Sequence, residues 1–593
     1  MQRAIQVILT ILLLLTLTIV ILTWFINNTP NLSTPPPQAT AALPAPTATS
    51  VPPSPTSAPS LTPNPTATAL PTAVPTPTPL PRKQVWIEPI VPQEMRDYVI
   101  GRLQTRSPSV MIELANEKNA ATADLSVGLN NESGSSLVMT RTYAVAAPFL
   151  TVADAISQNA LQAYWRGDVN ALTATFANEL KAATAPTLLM SNETRVLFER
   201  GFGPLSPNAK VRMIAANEAF SVAQTITSSV IALLPFNQLD QRWKLLWLDG
   251  QNLFDKQLDP AKYPFTTRLY AKGDKTLIAA IAPFTDRDPA KMTVVAMTGV
   301  TAMARGTAVQ MEAKGLLYPG LLVRDWLRSA DITHISNEVS FWEACPAPSF
   351  AETVQFCSCP KYIELLKDVG TDVVELTGNH LWDFGWQQFS NTLKIYDDLG
   401  WQTFGGGRTY NEALKPLTMT VNGNNIAFIG CNWFGANWAT DKWPGSARCG
   451  KNSQYELDLI TAQIREAKAK GYLVIATIQY EEYYTYAASP NQRRDFQALR
   501  DAGAIIVNGS QGHHAQGFNV SDKGFIHYGT GNLFFGDQFD VGAHQTFVDR
   551  HVFYNGTYLG VELKTAYIDD YSQPRPMRPD ERAKFLRLLF ALP

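Results

Sequence analysis

The carboxyl-terminal half of the chain carries short apolar runs that each end in polar residues, which predicts buried strands leading into one site. The clearest run, Asp372–Leu376, is followed by Asn379, His380 and Asp383 and then by a helical pattern over Gln387–Leu399. Polar side chains between the carboxyl end of a strand and the next helix are typical of binding sites in open α/β sheets. A turn in which Asn379 and His380 only satisfy backbone groups fits the same pattern.

The same arrangement recurs along this half, and it predicts a layered α/β domain whose site is assembled from strand-end loops. Further predicted strands are Met292–Met297, Ile332–Ile335, Asn425–Gly430, Leu473–Ile478, Ala504–Val507 and Gly524–Tyr528. Predicted helices are Tyr318–Arg328, Ile363–Asp368, Gln454–Lys470 and Asn491–Ala502. The polar candidates that follow these strands are Glu338, Gln479, Glu482, Gln511, His513, His514 and Asn532.

Strands and helices also alternate in residues 84–285, which predicts a second mixed α/β domain. Its predicted strands are Val85–Ile87, Leu125–Leu129, Tyr143–Ala147, Thr187–Met190, Ser229–Leu234 and Trp243–Leu248, and its predicted helices are Gln93–Leu103, Ala153–Trp165 and Ala171–Lys181. A polar joint with two prolines, residues 283–290, marks the boundary. The carboxyl-terminal domain is predicted at residues 291–570, with a last strand between Val552 and Lys564. A basic tail at residues 571–593 follows and is helical near its end.

Residues 1–26 form a predicted transmembrane signal anchor. Ala4–Phe25 holds no charged residue, and as a helix it would be roughly 33 Å long, enough to cross the hydrocarbon core. Arg3 precedes the run, which agrees with the positive-inside rule for a short cytoplasmic amino end. A cleaved signal peptide is the alternative, but the residues after Trp24 offer no Ala-x-Ala-like cleavage site.

Residues 27–83 form a predicted disordered stalk. Up to Pro81 the segment consists mostly of Pro, Thr, Ser and Ala without a charged side chain, so it cannot bury enough apolar surface to fold. An extended chain of this composition rises about 3.1 Å per residue. The stalk would hold the following domains away from the membrane.

Net charge and cysteine usage restrict the function classes. A formal charge of −2 gives no indication of nucleic-acid binding. None of the five cysteines forms a Cys-x-x-Cys pair, which argues against a structural zinc site. In an exported chain disulfides are expected, with Cys431–Cys449 as the first pairing and Cys345 with either Cys357 or Cys359 as the second.

The order of motifs from residue 291 to 540 resembles the capsule-synthesis protein CapA family, or poly-γ-glutamate synthesis family, whose domain is related to calcineurin-like metallophosphoesterases. The phrases that carry the resemblance are Gly378-Asn-His380, Asp383-Phe-Gly385, Phe404-Gly-Gly-Gly-Arg408, Glu412-Ala-Leu-Lys-Pro416, Ile426-Ala-Phe-Ile-Gly430, Pro490-Asn-Gln-Arg493, Asp501-Ala-Gly-Ala504, Gly509 to Gly517 and Tyr528-Gly-Thr-Gly-Asn532. The resemblance implies an α/β/β/α fold, in which helices flank two stacked sheets and a metal lies at the strand ends.

Metal ligands implied by the resemblance are retained only in part. Matching positions are Glu338, Asn379, His380 and His513, whereas the family's other ligand positions are Val300, Gln479, Ser510 and Gln511 here. Valine offers no lone pair, and carboxamides are poor replacements for imidazole on a transition metal. The remaining set is compatible with one divalent metal or with none, and it departs from a two-metal centre.

Residues 84–285 resemble the type II periplasmic solute-binding fold. The phrases concerned are Ala146-Ala-Pro-Phe-Leu-Thr-Val152, Leu161-Gln-Ala-Tyr-Trp-Arg-Gly167, Ala232-Leu-Leu-Pro-Phe236 and Tyr263-Pro-Phe265. They are structural phrases without ligand contacts. The resemblance implies either binding of a solute or polymer, or a spacer or docking role.

Together the two resemblances imply a membrane-anchored, extracytoplasmic protein that takes part in the synthesis, export or anchoring of a surface polymer, poly-γ-glutamate or a capsule polysaccharide. Expected partners are the polymer, the membrane and membrane synthesis or export subunits. The first hypothesis is a polymer-binding scaffold with a degenerate metal site, since the carboxamides of Asn379, Gln479, Gln511 and Asn532 can both donate and accept hydrogen bonds.

Two alternatives remain. In a metal-dependent hydrolase or phosphoesterase, Glu338 or His513 would act as ligand or general acid–base, and His380 would polarise the reacting bond. In the other, the middle domain binds a small solute and the carboxyl-terminal domain is structural. The sequence leaves open whether the chain is an enzyme.

Overall fold

The computed structural model describes residues 80–180, 185–281, 283–351, 353–450, 453–536 and 540–592. The predicted membrane segment at residues 4–25 and nearly all of the predicted stalk lie outside these ranges. Within the described ranges, none of the helices combines the length and apolar character needed to span a membrane. The chain is a mixed α/β protein with several sheets, as predicted.

The first part of the chain contains twelve strands and five α-helices among the described residues. The strands are β1 Arg82–Ile87, β2 Met111–Leu114, β3 Leu125–Gly128, β4 Ser136–Pro148, β5 Ala155–Ile156, β6 Thr187–Met190, β7 Val211–Met213, β8 Val230–Pro235, β9 Trp243–Leu245, β10 Trp247–Leu248, β11 Thr266–Gly273 and β12 Phe284–Thr285. The helices are α1 Gln93–Arg106, α2 Gln158–Trp165, α3 Asn192–Phe202, α4 Ala219–Gln224 and α5 Lys275–Ile281.

Strand β4 joins two lobes of this region. Ten of the strands form one sheet in the order β2-β1-β3-β11-β4-β8-β6-β7, and β9 and β12 also pair with β4. The first half of β4 pairs with β11, and its second half pairs with β8 and β9. Each lobe has its own apolar core, one around α1 and α5 and the other around α2 and α3. One continuous strand therefore connects both lobes.

The second part of the chain contains seventeen strands and eight α-helices among the described residues. The strands are β13 Met292–Thr298, β14 Val300–Ala302, β15 Ile332–Asn337, β16 Val373–Glu375, β17 Gln402–Phe404, β18 Gly406–Gly407, β19 Leu417–Val421, β20 Asn424–Asn432, β21 Gly445–Ser446, β22 Leu473–Gln479, β23 Ala504–Ser510, β24 Phe518–Ser521, β25 Gly524–His527, β26 Asn532–Phe535, β27 Gln545–Tyr554, β28 Thr557–Asp569 and β29 Gln573–Pro576. The helices are α6 Arg305–Lys314, α7 Arg324–Arg328, α8 Ile363–Asp368, α9 Trp386–Leu399, α10 Tyr410–Leu414, α11 Gln454–Ala469, α12 Pro490–Ala502 and α13 Pro579–Phe590.

Two sheets pack face to face in this part. The nine-stranded sheet follows the order β17-β16-β15-β13-β27-β28-β29, with β14 and β26 attached, and the six-stranded sheet follows β19-β20-β22-β23-β25-β24. Apolar side chains of both sheets, among them Val295, Ile332, Phe428 and Ile475, share one core. Helices α6 to α9 cover the outer face of the first sheet, and α11 and α12 cover that of the second. The result is a four-layer α/β/β/α arrangement.

A continuous core connects the first and second parts, and residues 78–593 form one compact unit. Met292, Val294, Val552 and Leu559 of the second part belong to the same apolar cluster as the lobe around α2 and α3. Arg287, in the joint between the parts, is fully buried and donates to the carbonyl oxygens of Leu253, Asp255 and Leu258.

Two sequence predictions were wrong in detail. The predicted helix at residues 171–181 is a series of turns as far as it is described, because Leu172 and Phe176 are buried and the Glu179 carboxylate accepts from the backbone N–H groups of Val152 and Ala153 (both 2.8 Å). The single strand predicted between Val552 and Lys564 is the hairpin of β27 and β28. In both places long-range contacts override local propensity.

Candidate functional site

The segment after β16 approaches β15 closely, which brings the predicted site residues together. A Cβ atom on Gly378 would lie 2.6 Å from the Cα of Glu338, so only glycine permits this approach. His380 then forms a bridge with Val339, parallel to it. The carboxyl ends of β15 and β16 therefore present Glu338, Asn379 and His380 side by side.

Gln479, the last residue of β22, is the centre of a buried hydrogen-bonded cluster. Its Nε2 atom donates to Glu338 Oε1 (2.9 Å), to Asn379 Oδ1 (2.9 Å) and to Gln511 Oε1. Glu338, Gln479 and Gln511 are each at most 2% exposed. An amide nitrogen carries two hydrogens, and here three oxygens compete for them. We call these four residues the Gln479 cluster.

His380 lies at the edge of the Gln479 cluster and is held by Asp383. The Nδ1 atom of His380 donates to Asp383 Oδ2 (2.7 Å), which also accepts from the backbone N–H of Phe356 (2.9 Å). Burial lowers the pKa of His380, but the hydrogen bond that His380 donates to Asp383 and the charges of Glu338 and Asp383 outweigh burial, so the pKa is raised above 6.5. The Phe356 ring packs on the imidazole, with centroids 4.0 Å apart.

His513 occupies the opposite side, on a strained loop. Its Nδ1 atom donates to Asn532 Oδ1 (2.9 Å), and Tyr484 stacks on its ring with centroids 5.5 Å apart. Gln511 and His513 have φ values of 77° and 52°, a left-handed conformation that non-glycine residues seldom adopt. Such strain persists only where surrounding contacts fix it, and it concentrates at functional sites.

Glu482 and His514, two further predicted site residues, form their hydrogen bonds outside the Gln479 cluster and away from His380 and His513. Glu482 is exposed and accepts from the Tyr484 hydroxyl (2.9 Å). His514 is buried but is directed elsewhere, and its Nε2 atom donates to Asp540 Oδ1 (2.7 Å). Their nearness in sequence to Gln479 and His513 was misleading, because neighbouring residues at a strand end point in different directions.

Two disulfide-closed loops flank the site, and sequence reasoning missed the side chains that they contribute. The first cystine loop is closed by Cys345–Cys357 and carries Phe356. The second cystine loop is closed by Cys431–Cys449, the pairing predicted first, and its Asn437 donates to the Asn379 carbonyl. The cysteine spacing was the only signal in the sequence for these loops, and it gave no indication of which side chains face the site.

Aromatic side chains connect the same two loops to the segment that carries the site. Phe384 packs on Trp342 at the base of the first cystine loop, with centroids 4.9 Å apart. Trp386 packs on Trp443 of the second cystine loop, with centroids 4.7 Å apart, and Trp443 is 41% exposed. These contacts form a partly exposed aromatic rim along the segment that follows His380 in the chain. By contrast, Tyr480 is fully buried and belongs to the core.

The donor set does not fit the two-metal centre of a metallophosphoesterase. Val300 belongs to an apolar cluster with Val339, Phe356 and Phe535, so the position of one expected carboxylate is filled by hydrocarbon. Another ligand position of the family is occupied here by Gln479. Its amide nitrogen lies where the oxygens of the Gln479 cluster converge. Among the described residues no group of three or more His, Cys, Asp or Glu side chains is arranged to hold a metal ion.

Comparison with known proteins identifies relatives of the second part of the chain. Residues 294–537 match the family model described as bacterial capsule synthesis protein PGA_cap. The capsule biosynthesis protein CapA of Bacillus anthracis is 26% identical over 47% of this chain and 68% of its own length. The PGA biosynthesis protein CapA of Bacillus subtilis is 27% identical over 33% of this chain and 50% of its own length.

Solved structures give only a faint similarity. An ABC-type phosphate transport receptor from Vibrio cholerae matches 34% of this chain and 93% of its own, with 12% identity and a TM-score of 0.26. A reduced form of OxyR from N. meningitidis matches 34% of this chain and 93% of its own, with 11% identity and a TM-score of 0.21. Scores of this size are below the level at which a shared fold can be argued.

Proposed function

The domain at residues 294–537 belongs to the bacterial capsule synthesis family, and on this premise we propose that the chain takes part in making, exporting or anchoring a surface polymer. Within that role it acts as a scaffold that binds the polymer without a metal ion. The polymer is poly-γ-glutamate or a capsule polysaccharide, the two classes that the names of the relatives suggest.

One observation carries the scaffold role: the Gln479 amide nitrogen lies among the oxygens of Glu338, Asn379 and Gln511. The Gln479 amide nitrogen, an uncharged donor, thereby occupies the space among these oxygens that a cation would need, and its two hydrogens serve two of the three oxygens at a time. The cluster then serves as a rigid base for the two groups nearest the opening, Asn379 and His380.

The rim suits recognition of a polymer. The His380 side chain is 20% exposed and is held by Asp383, so it can donate a hydrogen bond to a carboxylate or hydroxyl group of the polymer. Trp443 is 41% exposed, and flat apolar rings near hydrogen-bonding groups suit aliphatic spacers or sugar faces. Polymer binding at this rim requires no reacting bond and no metal.

The test compares binding and turnover in full-length protein with and without EDTA. Labelled poly-γ-glutamate and labelled capsule polysaccharide are titrated into the wild type and into Gln479→Met. We expect EDTA to leave affinity unchanged and product release to be absent. We expect Gln479→Met to weaken binding about tenfold or more, because three acceptors lose their common donor and the base of the site loosens.

Gln104→Met provides the matched control, since Gln104 is exposed on α1, far along the chain from the Gln479 cluster. It should bind as the wild type does. Stoichiometric metal in the purified protein, together with metal-dependent cleavage of the polymer or of a phosphoester, would contradict the scaffold role and support the hydrolase alternative.

We further propose that the described part of the chain lies outside the cytoplasm, anchored to the membrane through its amino-terminal segment. Two disulfides close the loops beside the site, and disulfides persist mainly in oxidising compartments. A protein at this position would work beside membrane subunits that synthesise or export the polymer. Cysteine accessibility in intact cells, with Cys359 as the native free thiol, tests this location.

A further inference from the structure

A cavity between the two lobes of the first part has the chemistry of a binding site. Its volume is about 410 Å³, within the range of about 300–1,000 Å³ that is usual for small-ligand sites. It is bounded by the loop after β3, by one face of α3 and by the start of β11. The residues that matter for its chemistry are Asn130, Asn131, Phe198, Arg200, Phe265 and Arg268.

The floor of the cavity is aromatic and firmly packed. Phe198 lies edge-on to Phe265 with centroids 4.8 Å apart, and it also contacts Phe202 and Tyr143 at 5.7 and 5.8 Å. These four rings are nearly buried. A floor of this kind accepts methylene groups and needs no rearrangement to do so.

The polar groups of the cavity are positive or neutral. Arg200 donates to Asn130 Oδ1 (2.8 Å) across the two lobes, and Arg268 donates to the carbonyl oxygens of Pro260 (3.3 Å) and Ala261 (3.1 Å). No aspartate or glutamate of the described ranges lines the cavity. Among the described residues, neither guanidinium forms an ion pair with a carboxylate, although most arginines of the second part do.

From this arrangement we infer that the cavity binds a carboxylate-bearing ligand, specifically a short segment of an acidic polyamide such as oligo-γ-glutamate. Arginine forms bidentate hydrogen bonds with carboxylates, and the chain supplies two arginines without acidic competitors. The methylene spacers of a γ-glutamyl segment match the aromatic floor, and its amide groups match the side chains of Asn130 and Asn131. The inference rests on the proposed polymer role and names the polymer class.

The test is calorimetric titration of the full-length protein with oligo-γ-glutamate, beside the same oligomer esterified to remove its charges, and beside inorganic phosphate. We expect binding of the acidic oligomer that weakens with rising salt concentration. The double variant Arg200→Gln/Arg268→Gln should weaken this binding by at least about tenfold, because each lost charge-assisted pair contributes on that scale.

Two controls separate this site from the Gln479 cluster. Arg212→Gln removes an exposed arginine on β7 that does not line the cavity, and it should leave binding unchanged. Gln479→Met should retain the arginine-dependent binding while losing the interaction described under the proposed function. Melting curves of all variants show whether each one folds.

Equal binding of the esterified oligomer, or wild-type affinity in a folded double arginine variant, would overturn the inference. Arginine-dependent binding of phosphate without binding of the oligomer would also overturn it. If oligo-γ-glutamate binds only through the Gln479 cluster, the proposed function stands and the cavity is not a site for this ligand.

Discussion

Two histidines of the second part show how a partner decides the direction of a pKa shift. His551 is fully buried between the sheets, and burial lowers its pKa to about 4, although the charge of Asp549 acts in the opposite direction. Burial also lowers the pKa of His380, but Asp383 and Glu338 outweigh burial there and the net shift is upward. His551 therefore stays neutral across the physiological pH range, whereas the pKa of His380 lies above its usual value.

We predict that Asp383→Asn lowers the pKa of His380 relative to the wild type, because the Asp383 hydrogen bond and charge no longer oppose burial. In the wild type, the protonated His380 stabilises the folded state fully below the unfolded pKa near 6.5, and this contribution is lost as pH rises through the raised pKa. In Asp383→Asn this contribution becomes smaller, because only the charge of Glu338 still raises the pKa. Histidine NMR titrations measure both values.

His551 is the internal reference in the same spectra. Its pKa of about 4 should not change in Asp383→Asn, because its partners are Tyr558 and Asp549 and not Asp383. An unchanged His380 pKa in the variant would show that Asp383 is not the group that holds the proton on this imidazole.

At the scale of single residues, the sequence indicated which polar side chains lie at strand ends. It did not indicate which side chains pack against them. Glu338, Asn379, His380 and Gln479 each lie at the end of an apolar run, so strand periodicity alone places each of them at the carboxyl end of a strand. Phe356 comes from a loop without periodicity, and only the folded path of that loop brings it onto His380. The same reason accounts for the misplacement of Glu482, because side-chain direction at a strand end depends on the turn that follows.

At the scale of elements, the two cystine loops fix the walls of the site. The first cystine loop holds Phe356 against His380, and the second holds Asn437 against the Asn379 carbonyl. Each wall is therefore a short loop closed by a covalent bond. Neither loop belongs to a regular helix or strand over most of its length.

We predict that the paired substitution Cys345→Ser/Cys357→Ser lowers the free energy of unfolding by roughly 3 kcal/mol. A cross-link that closes a loop of this length stabilises the fold by about that amount, because it reduces the conformational entropy of the unfolded chain. It should also weaken polymer binding, because Phe356 is no longer held on His380. Urea denaturation and polymer titration measure the two effects. The matched control is Cys359→Ser, which removes the free thiol and should change neither; an equal loss in the control would contradict the role assigned to the loop.

The elements themselves were predictable where periodicity is strong and unpredictable where long-range contacts dominate. The buried strands β13, β22 and β23 and the helices α11 and α12 lie within a few residues of their predicted positions. The segment at residues 171–181 has helix-forming composition, but Glu179 binds the backbone near Val152 and the helix does not form. A contact with a residue distant in sequence leaves no trace in local pattern.

At the scale of the whole molecule, the two parts behave as one structural body. The apolar cluster around α2 and α3 continues into β13, β27 and β28. Arg582 of α13, close to the carboxyl terminus, forms two hydrogen bonds with Asp154 of the first part (2.6 and 2.8 Å). Burial disfavours the charged form of Asp154 and raises its pKa. The positive charges of Lys244 and Arg582 outweigh burial and hold the pKa of Asp154 well below its usual range.

We predict a single cooperative unfolding transition for the described part of the chain. Thermal melting followed by far-ultraviolet circular dichroism and by tryptophan fluorescence should give coincident midpoints, because the parts share one core and cannot unfold separately without exposing it. Two resolved transitions would show that the core between the parts contributes little. Arg582→Ala should lower the common midpoint, whereas Arg587→Ala on the exposed side of the same helix should not.

The shared core also fixes the distance between the two proposed binding sites. The cavity between the lobes and the Gln479 cluster lie in one body, so the spacing between them does not vary. If both proposed sites bind the polymer, a polymer long enough to reach both meets the second site at a constant effective concentration, whereas a shorter one is held at a single site. Retention by this protein would therefore begin at a defined degree of polymerisation, and short products would be released while long ones are kept.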